Sequence, residues 1–271
     1  MSTHKPVNKI TTETLRKMKQ ERERISALTA YDYIMAELLD QSGIDIILVG
    51  DSAGTVFQGH DTTIPVKMEE MLYHVRVVTR AVKRALVVAD MPFMSYQVNM
   101  DEALRNAGRF MQESQAEAIK LEGGMEFLPT IKRLVEVGIP VMGHLGLTPQ
   151  SIHQFGTYRT RGTSDAEAQK ILSDAKALEE AGIFALVLEK IPAALAKKIS
   201  SAIAVPTIGI GAGPDCDGQI LVTHDMLGLY EKFHPRFVRR YAELAVQMRE
   251  AFKHYNDDVK SKNFPNEKET Y

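Results

Sequence analysis

Six polar side chains stand along this sequence at the points where apolar runs end. They are Asp51 after IILVG, Asp90 after LVVA, Lys120 and Glu122 on either side of Leu121, His144 after PVMG, and Glu189 after FALVL. Apolar runs of this kind are typical of parallel strands that are buried on both faces. Active sites of α/β barrels gather at the carboxyl ends of their strands, so we expect these six side chains to form one site.

Four of these six side chains are carboxylates, and so many negative groups at one site need a compensating charge. Buried carboxylates that converge on one mouth repel one another unless a cation or protonation relieves them, because desolvated like charges shift pKa values by whole units. Oxygen ligands without accompanying cysteine favour a hard ion such as Mg²⁺, which keeps several waters and takes one or two protein carboxylates directly. We therefore predict Asp51 and Asp90 as direct metal ligands, with Glu122 binding the ion through water.

Other roles stay open for the same residues. Asp51 could cap a turn or helix, since Asp side chains accept hydrogen bonds from free backbone N–H groups. Lys120 and Glu122 project to one side if their strand continues through both, where they could form a plain ion pair. His144 could bind zinc, but no second histidine stands at the i, i+4 spacing of a helical zinc motif. Ser52 has no histidine immediately beside it in the sequence to act as its base, so it suits holding a carboxylate or keto acid rather than nucleophilic catalysis.

Apolar runs and helix-like segments alternate along the chain, and these elements must position the six side chains. Strands are predicted at RISALTAYD, IILV, ALVVADMPF, AIKLEGG, IPVMGHLGL, IFALVLEK, VPTIGIGAG and near QILVTHDMLG, and the helices between them include MDEALRNAGRFMQES, FLPTIKRLVEVG, SDAEAQKILSDAKALEEAG and PAALAKKISSAI. About eight strands separated by helices favour a (β/α)8 barrel. The count is also compatible with a Rossmann-like sheet, although GIGAGP lacks the full G-x-G-x-x-G turn of a dinucleotide site.

Length and composition place the chain in the globular class. It has 271 residues, of which 44% are hydrophobic and 25% charged, and these values suit one α/β barrel. We predict a single domain over residues 1–271, with an N-terminal helical extension over 1–23 and an irregular polar tail over 256–271.

Charge and cysteine content narrow the class of partner and compartment. The net charge of −2 gives no reason to expect a nucleic acid or an acidic membrane as partner, so small molecules are expected instead. Cys216 is the only cysteine, which excludes an internal disulfide framework. No run approaches the roughly 20 apolar residues that cross a bilayer, and the polar start lacks the apolar core of a secretory signal. These features predict a cytoplasmic protein.

Eight segments resemble one family closely and in its order. They are ALTAYD, VGDSAG, GHDTTIPV, ADMPFMSY, KLEGG, GHLGLTPQS, LVLE and GIGAGPDCDGQILV, which together span almost the whole chain. The sequence is similar in these segments to the ketopantoate hydroxymethyltransferases. The resemblance implies a (β/α)8 barrel, dependence on Mg²⁺, and transfer of a hydroxymethyl group from 5,10-methylenetetrahydrofolate to 3-methyl-2-oxobutanoate, which gives 2-dehydropantoate for pantothenate biosynthesis. It also implies a homodecamer of stacked pentamers.

The resemblance also assigns roles to residues of this chain. It makes Asp51 and Asp90 metal ligands that also meet the substrate, places Glu122 close to the metal, and makes Ser52 and Lys120 substrate holders. His144 lines the site in the same scheme, and Glu189 matches the general base.

Two rival functions share these residues. One is another Mg²⁺-dependent lyase or mutase acting on 2-oxo acids, of the phosphoenolpyruvate/pyruvate group of barrels, which dependence on folate would separate. The other is a catalytically silent barrel that serves as a scaffold or metabolite sensor, against which the full set of candidate catalytic residues argues.

Overall fold

The computed structural model describes residues 8–232 and 234–271. Eight parallel strands close into a barrel in chain order, with the last strand paired to the first. The strands are β1 (Ile25–Thr29), β2 (Ile46–Val49), β3 (Leu86–Asp90), β4 (Ala118–Lys120), β5 (Val141–Gly146), β6 (Ala185–Glu189), β7 (Thr207–Ile210) and β8 (Gly218–Leu221). The predicted (β/α)8 barrel is confirmed, and the open dinucleotide-binding sheet is excluded.

Helices precede, connect and follow the strands along the chain. They are α1 (Thr12–Glu21), α2 (Tyr33–Gln41), α3 (Ala53–Val56), α4 (Met68–Ala81), α5 (Met100–Ser114), α6 (Leu128–Glu136), α7 (Ile152–Phe155), α8 (Asp165–Glu180), α9 (Ala193–Ala202), α10 (Thr223–Met226) and α11 (Leu244–Ser261). The predicted helix MDEALRNAGRFMQES coincides with α5, whereas α4 has no counterpart among the helices predicted above. Within the described ranges, no helix is both long and apolar enough to cross a membrane.

The alternation of side chains along each strand sorts apolar residues into two cores. In β2, Ile46 and Leu48 belong to the core inside the barrel, whereas Ile47 and Val49 belong to the core between strands and helices. All four are buried, because a strand of a closed parallel barrel is covered on both faces. The same parity fixes which residues at the strand ends point inward.

The chain divides into two compact units, of which the first runs to Leu221 and contains the whole barrel. In the second unit, residues 222–271, helix α11 has no fully buried residue. This helix continues to Ser261, so the predicted start of the irregular tail at residue 256 is wrong. Polar residues alone do not end an exposed helix, and this one ends where Lys262 adopts a positive φ of 61° and donates its backbone N–H to the carbonyl of Asp258.

Candidate active site

Four of the predicted site residues point into the barrel because of their position along the strands. In β3 the inner core contains Leu86 and Val88, so Asp90 continues the same face. The same parity carries Lys120 in β4, His144 in β5 and Glu189 in β6 to the inside, each following inner-core residues two positions earlier in its strand: Ala118, Met142 and Val187. The carboxyl ends of four strands therefore direct ionisable groups to one place.

Asp51 reaches the same place from the turn after β2. Its backbone N–H donates to Oδ2 of Asp90 at 3.2 Å, and its side chain is almost completely buried. The preceding Gly50 keeps this turn narrow, because a Cβ there would lie 2.8 Å from Oγ of Ser52. That hydroxyl lies 2.8 Å from the hydroxyl of Tyr31. The turn after β2 thus presents a carboxylate and a hydroxyl side by side.

Charges within this cluster are poorly balanced. Nζ of Lys120 lies 2.5 Å from Oδ1 of Asp90 and 3.9 Å from Oε1 of Glu122, and all three side chains are buried. Burial raises the pKa values of Asp51 and Asp90, and for Asp51 the charges of Asp90 and Glu122 raise the pKa further. Burial would lower the pKa of Lys120, but the surrounding carboxylates outweigh it and raise that pKa. Lys120 is therefore charged; its closest carboxylate is Asp90, and Glu122, the ion-pair partner that the sequence left open, lies farther away.

His144 stands between two carboxylates. Its Nδ1 lies 3.4 Å from Oε1 of Glu122, and its Nε2 lies 3.4 Å from Oε2 of Glu189. Both contacts are long, and neither ring nitrogen has a well-directed hydrogen-bond partner among the described residues. Burial would lower the pKa of His144, but the two carboxylates outweigh burial and raise that pKa to about 9. An imidazolium thus stands between the carboxylates of Glu122 and Glu189.

Two further polar side chains belong to the cluster, although the sequence did not single them out. Nε2 of Gln150 donates to Oδ2 of Asp51 at 2.9 Å, and the backbone N–H of Gln150 donates to Oε2 of Glu122 at 3.0 Å. The hydroxyl of Tyr96 donates to Oε1 of Gln150 at 2.9 Å and accepts from the backbone N–H of Glu122 at 3.1 Å. Both lie in segments quoted above, ADMPFMSY and GHLGLTPQS, but neither follows an apolar run directly.

The donor set of the cluster suits a hard divalent cation. Within residues 8–232 and 234–271, no three His, Cys, Asp or Glu side chains are placed so that they could hold an ion together. Asp51 and Asp90 nevertheless form a buried pair that supplies oxygen ligands only, and their raised pKa values reflect an unfavourable charge that a dication would relieve. Mg²⁺ commonly takes one or two protein carboxylates and completes its shell with waters and substrate oxygens. The residues therefore fit Mg²⁺.

Comparisons with known sequences agree in one family. The sequence model of that family, described as ketopantoate hydroxymethyltransferase, matches residues 9–267. The chain is 58% identical over 266 residues to the 3-methyl-2-oxobutanoate hydroxymethyltransferase of Prosthecochloris aestuarii, covering 97% of this chain and 96% of that protein. It is 57% identical to the protein of the same name from Cytophaga hutchinsonii, with both chains covered completely.

Solved structures with a similar barrel are more distant in sequence. One is phosphonopyruvate hydrolase in complex with oxalate and Mg²⁺, with a TM-score of 0.61, 16% identity, and coverage of 95% of this chain and 92% of that one. Another is 2,3-dimethylmalate lyase of the PEP mutase/isocitrate lyase superfamily, with a TM-score of 0.62, 16% identity, and coverage of 92% and 88%. At this identity the likeness concerns the fold alone. The match of the family model and of full-length relatives decides the assignment: the chain belongs to the ketopantoate hydroxymethyltransferase family.

Proposed function

We propose that this protein transfers a hydroxymethyl group from 5,10-methylenetetrahydrofolate to 3-methyl-2-oxobutanoate, forming 2-dehydropantoate in pantothenate biosynthesis. The observation that carries the proposal is the cluster at the carboxyl ends of the strands, in which buried Asp51, Asp90 and Glu122 lie together and His144 stands between Glu122 and Glu189. Its members come from a chain whose full-length relatives bear the name 3-methyl-2-oxobutanoate hydroxymethyltransferase.

Asp51 and Asp90 are the groups that would hold Mg²⁺, with Glu122 acting through water. When bound, the ion would supply Lewis acidity toward the keto oxygen of the substrate, where negative charge develops. The support for this assignment is the pair of buried carboxylates with raised pKa values beside a single lysine. Their oxygens are the ligands that Mg²⁺ prefers.

Ser52, Lys120 and His144 would hold the keto acid. Lys120 is buried and its pKa is raised by the surrounding carboxylates, so it presents a permanent positive charge to an anionic substrate. Ser52 lies in the turn after β2, and its hydroxyl is held by a contact of 2.8 Å with the hydroxyl of Tyr31. Binding a carboxylate between an ammonium and a hydroxyl fixes the orientation of the reacting carbon before reaction.

Glu189 would act as the general base. Its side chain is 15% exposed, more open than the 3% of Glu122 and His144, so it is the carboxylate of the cluster that a substrate carbon can approach. Glu189 takes the proton from C3, and the electron pair of the broken C–H bond passes into the enolate of the keto acid. His144, 3.4 Å from Oε2, orients the Glu189 carboxylate for this transfer.

The enolate carbon then forms a bond to the methylene carbon of the donor. One water supplies the hydroxyl oxygen, and both carbon–nitrogen bonds of the methylene bridge break. The two protons of this water and the proton held by Glu189 end on the two nitrogens of the released tetrahydrofolate and on the new hydroxyl. Proton removal and carbon transfer are therefore separable steps, since the first needs only the keto acid.

This separation provides the test. In D₂O with Mg²⁺ and no folate, the protein is expected to exchange the C3 proton of 3-methyl-2-oxobutanoate, as followed by proton NMR. Addition of 5,10-methylenetetrahydrofolate is expected to give 2-dehydropantoate. Absence of both reactions would reject the proposal.

A second candidate is a Mg²⁺-dependent lyase or mutase acting on 2-oxo acids. The similarity of the barrel to phosphonopyruvate hydrolase and 2,3-dimethylmalate lyase favours it, as does a carboxylate cluster that would serve such chemistry equally well. Turnover of a 2-oxo acid without folate, together with no product when folate is present, would favour this candidate.

Assembly and location are part of the same proposal. We propose a homodecamer in the cytoplasm, supported by the resemblance of the sequence to the family. Light scattering coupled to size-exclusion chromatography would measure the assembly, and a mass of one or two chains would reject the decamer.

A further inference from the structure

The side-chain amide of Gln150 uses all of its hydrogen-bonding capacity. Nε2 donates to Oδ2 of Asp51 and to the carbonyl of Met91, each at 2.9 Å. Oε1 accepts from the hydroxyl of Tyr96 at 2.9 Å and from Nε2 of Gln97 at 3.0 Å. An amide offers two donors and two acceptor sites, so none is left over for solvent.

The partners of this amide fix which end faces Asp51. If the amide were reversed, its oxygen would face the carboxylate of Asp51 and the carbonyl oxygen of Met91, two acceptors that repel it. Its nitrogen would also face the side-chain nitrogen of Gln97. The hydrogen-bond network therefore holds the N–H donor, and only the donor, against the carboxylate.

Gln150 reaches a second carboxylate through its backbone. It lies in the single 3₁₀ turn Pro149–Ser151 that follows β5, and its backbone N–H donates to Oε2 of Glu122 at 3.0 Å. One residue thus joins the segments that follow β2, β3, β4 and β5. Gln150 is 4% exposed, so these bonds are made away from bulk water, where hydrogen bonds to charged groups are strongest.

Gln150 also lines a cavity of about 370 Å³ beside the carboxylate cluster. The lining of this cavity includes Gln150, Glu122, Tyr96 and Gln97, and it does not include Asp51 or Asp90 among the described residues. The side chain therefore has two neighbours of different character: the charged cluster on one side and open space on the other.

We propose that Gln150 is a positioning residue for the metal-holding carboxylates: it directs Asp51 through its side chain and Glu122 through its backbone. The inference rests on the proposed Mg²⁺ site. Asp51 comes from a turn outside the strand, so the strand alone does not fix its carboxylate as it does for Asp90. The donor from Gln150 supplies the missing constraint and offsets part of the charge of Asp51 when the ion is absent.

The test removes the amide and keeps the volume. Gln150→Met keeps a side chain of similar length at this position but offers no N–H donor. Gln112→Met makes the same replacement at an exposed position of α5, outside the lining of the cavity, and serves as the matched control. Isothermal titration calorimetry with MgCl₂ measures the affinity of each variant for the ion itself.

We expect the Kd for Mg²⁺ to rise about 10- to 100-fold in Gln150→Met, the usual effect of losing a residue that orients a ligand. Gln112→Met is expected to match the wild type. The KM for 3-methyl-2-oxobutanoate at saturating Mg²⁺ should change much less, because Gln150 acts on the carboxylates rather than on the substrate. A role confined to packing would instead lower the melting temperature in EDTA and leave the Kd unchanged.

The outcomes are separable. If the wild type does not bind Mg²⁺, the proposed function fails, whereas wild-type affinity in a folded Gln150→Met protein overturns the inference about Gln150 alone. If Gln150→Met does not fold, Tyr96→Phe replaces it, since this change keeps Gln150 but removes the hydroxyl that fixes its Oε1. A weakening of Mg²⁺ binding by at least about threefold is then expected, and an unchanged Kd overturns the inference.

Discussion

The two ends of the barrel both carry charged side chains, but they balance them differently. At the amino ends of the strands, Nζ of Lys19 lies 2.9 Å from Oδ2 of Asp217 and also donates to the carbonyls of Ser200 and Val205. Asp217 accepts in turn from the backbone N–H and hydroxyl of Thr207, both at 2.8 Å. Lys19 and Asp217 are thus each matched by an opposite charge and by neutral hydrogen-bond partners.

At the carboxyl ends of the strands, negative side chains outnumber positive ones. Three buried carboxylates, Asp51, Asp90 and Glu122, surround one lysine, and both ring nitrogens of the nearby His144 lack a well-directed partner among the described residues. Burial of like charges costs stability unless a group of opposite charge binds and compensates their repulsion.

Lys19 and Asp217 have their partners within the described part of the chain, so we expect them to contribute to stability. The proposed site at the carboxyl ends leaves charge for a ligand to compensate, so we expect its residues to contribute to affinity and rate. Substitutions at the two ends should therefore affect different measurements.

The largest effect is expected from Glu189→Gln at the carboxyl end. Loss of a general base should slow C3 proton exchange by about 10²- to 10⁴-fold, while Mg²⁺ binding persists because the metal-holding carboxylates are untouched. NMR in D₂O follows the exchange and calorimetry follows the binding. Glu180→Gln, exposed near the end of α8, is the matched control, and unchanged exchange in Glu189→Gln would remove Glu189 from the role of base.

Asp90→Asn should weaken Mg²⁺ and keto acid binding together, by at least about tenfold each, because each ligand completes the site of the other. The change also leaves the Lys120 ammonium with less compensation, since its Nζ lies 2.5 Å from Asp90. Calorimetry with each ligand alone and with both tests this coupling. Asp101→Asn at the exposed start of α5 is the control, and Mg²⁺-dependent binding of normal strength in Asp90→Asn would contradict the assignment.

At the opposite end, Lys19→Met should lower the free energy of unfolding by about 1–3 kcal/mol, because the half-buried Asp217 loses its cation and two carbonyls lose a donor. Urea denaturation measures the change, and kcat/KM at 25 °C should stay near the wild-type value. A loss of activity without a loss of stability would break the division between the two ends.

The smallest effect is expected for Lys17→Met on the same helix. Nζ of Lys17 lies 3.6 Å from Oε1 of Glu21, but the two side chains are 66% and 51% exposed. Exposed pairs of this kind contribute about 0.3–0.5 kcal/mol, so the urea midpoint should barely move. A loss as large as that of Lys19→Met would show that burial is not what distinguishes the two lysines.

The sequence alone predicted the barrel, although its strand count also allowed an open Rossmann-like sheet, and it predicted most of the polar residues of the inner surface. Apolar runs separated by helical segments specified eight strands, since a parallel strand covered on both faces must be apolar throughout. The residue type at the end of each run, together with strand parity, then placed Asp90, Lys120, His144 and Glu189 inside. Neither step requires knowledge of distant contacts, because strand periodicity is a local property.

The pairing of these groups depends on the tertiary structure. The local pattern left open an ion pair between Lys120 and Glu122. Nζ of Lys120 lies 3.9 Å from Glu122 but 2.5 Å from Asp90, because β3 and β4 are in register so that Asp90 lies beside Lys120. Gln150 and Tyr96 could not be found from apolar periodicity, since they follow no apolar run and reach the carboxylates through loops. Pairing depends on register and loop path, which are set by the closure of the whole barrel rather than by any one segment.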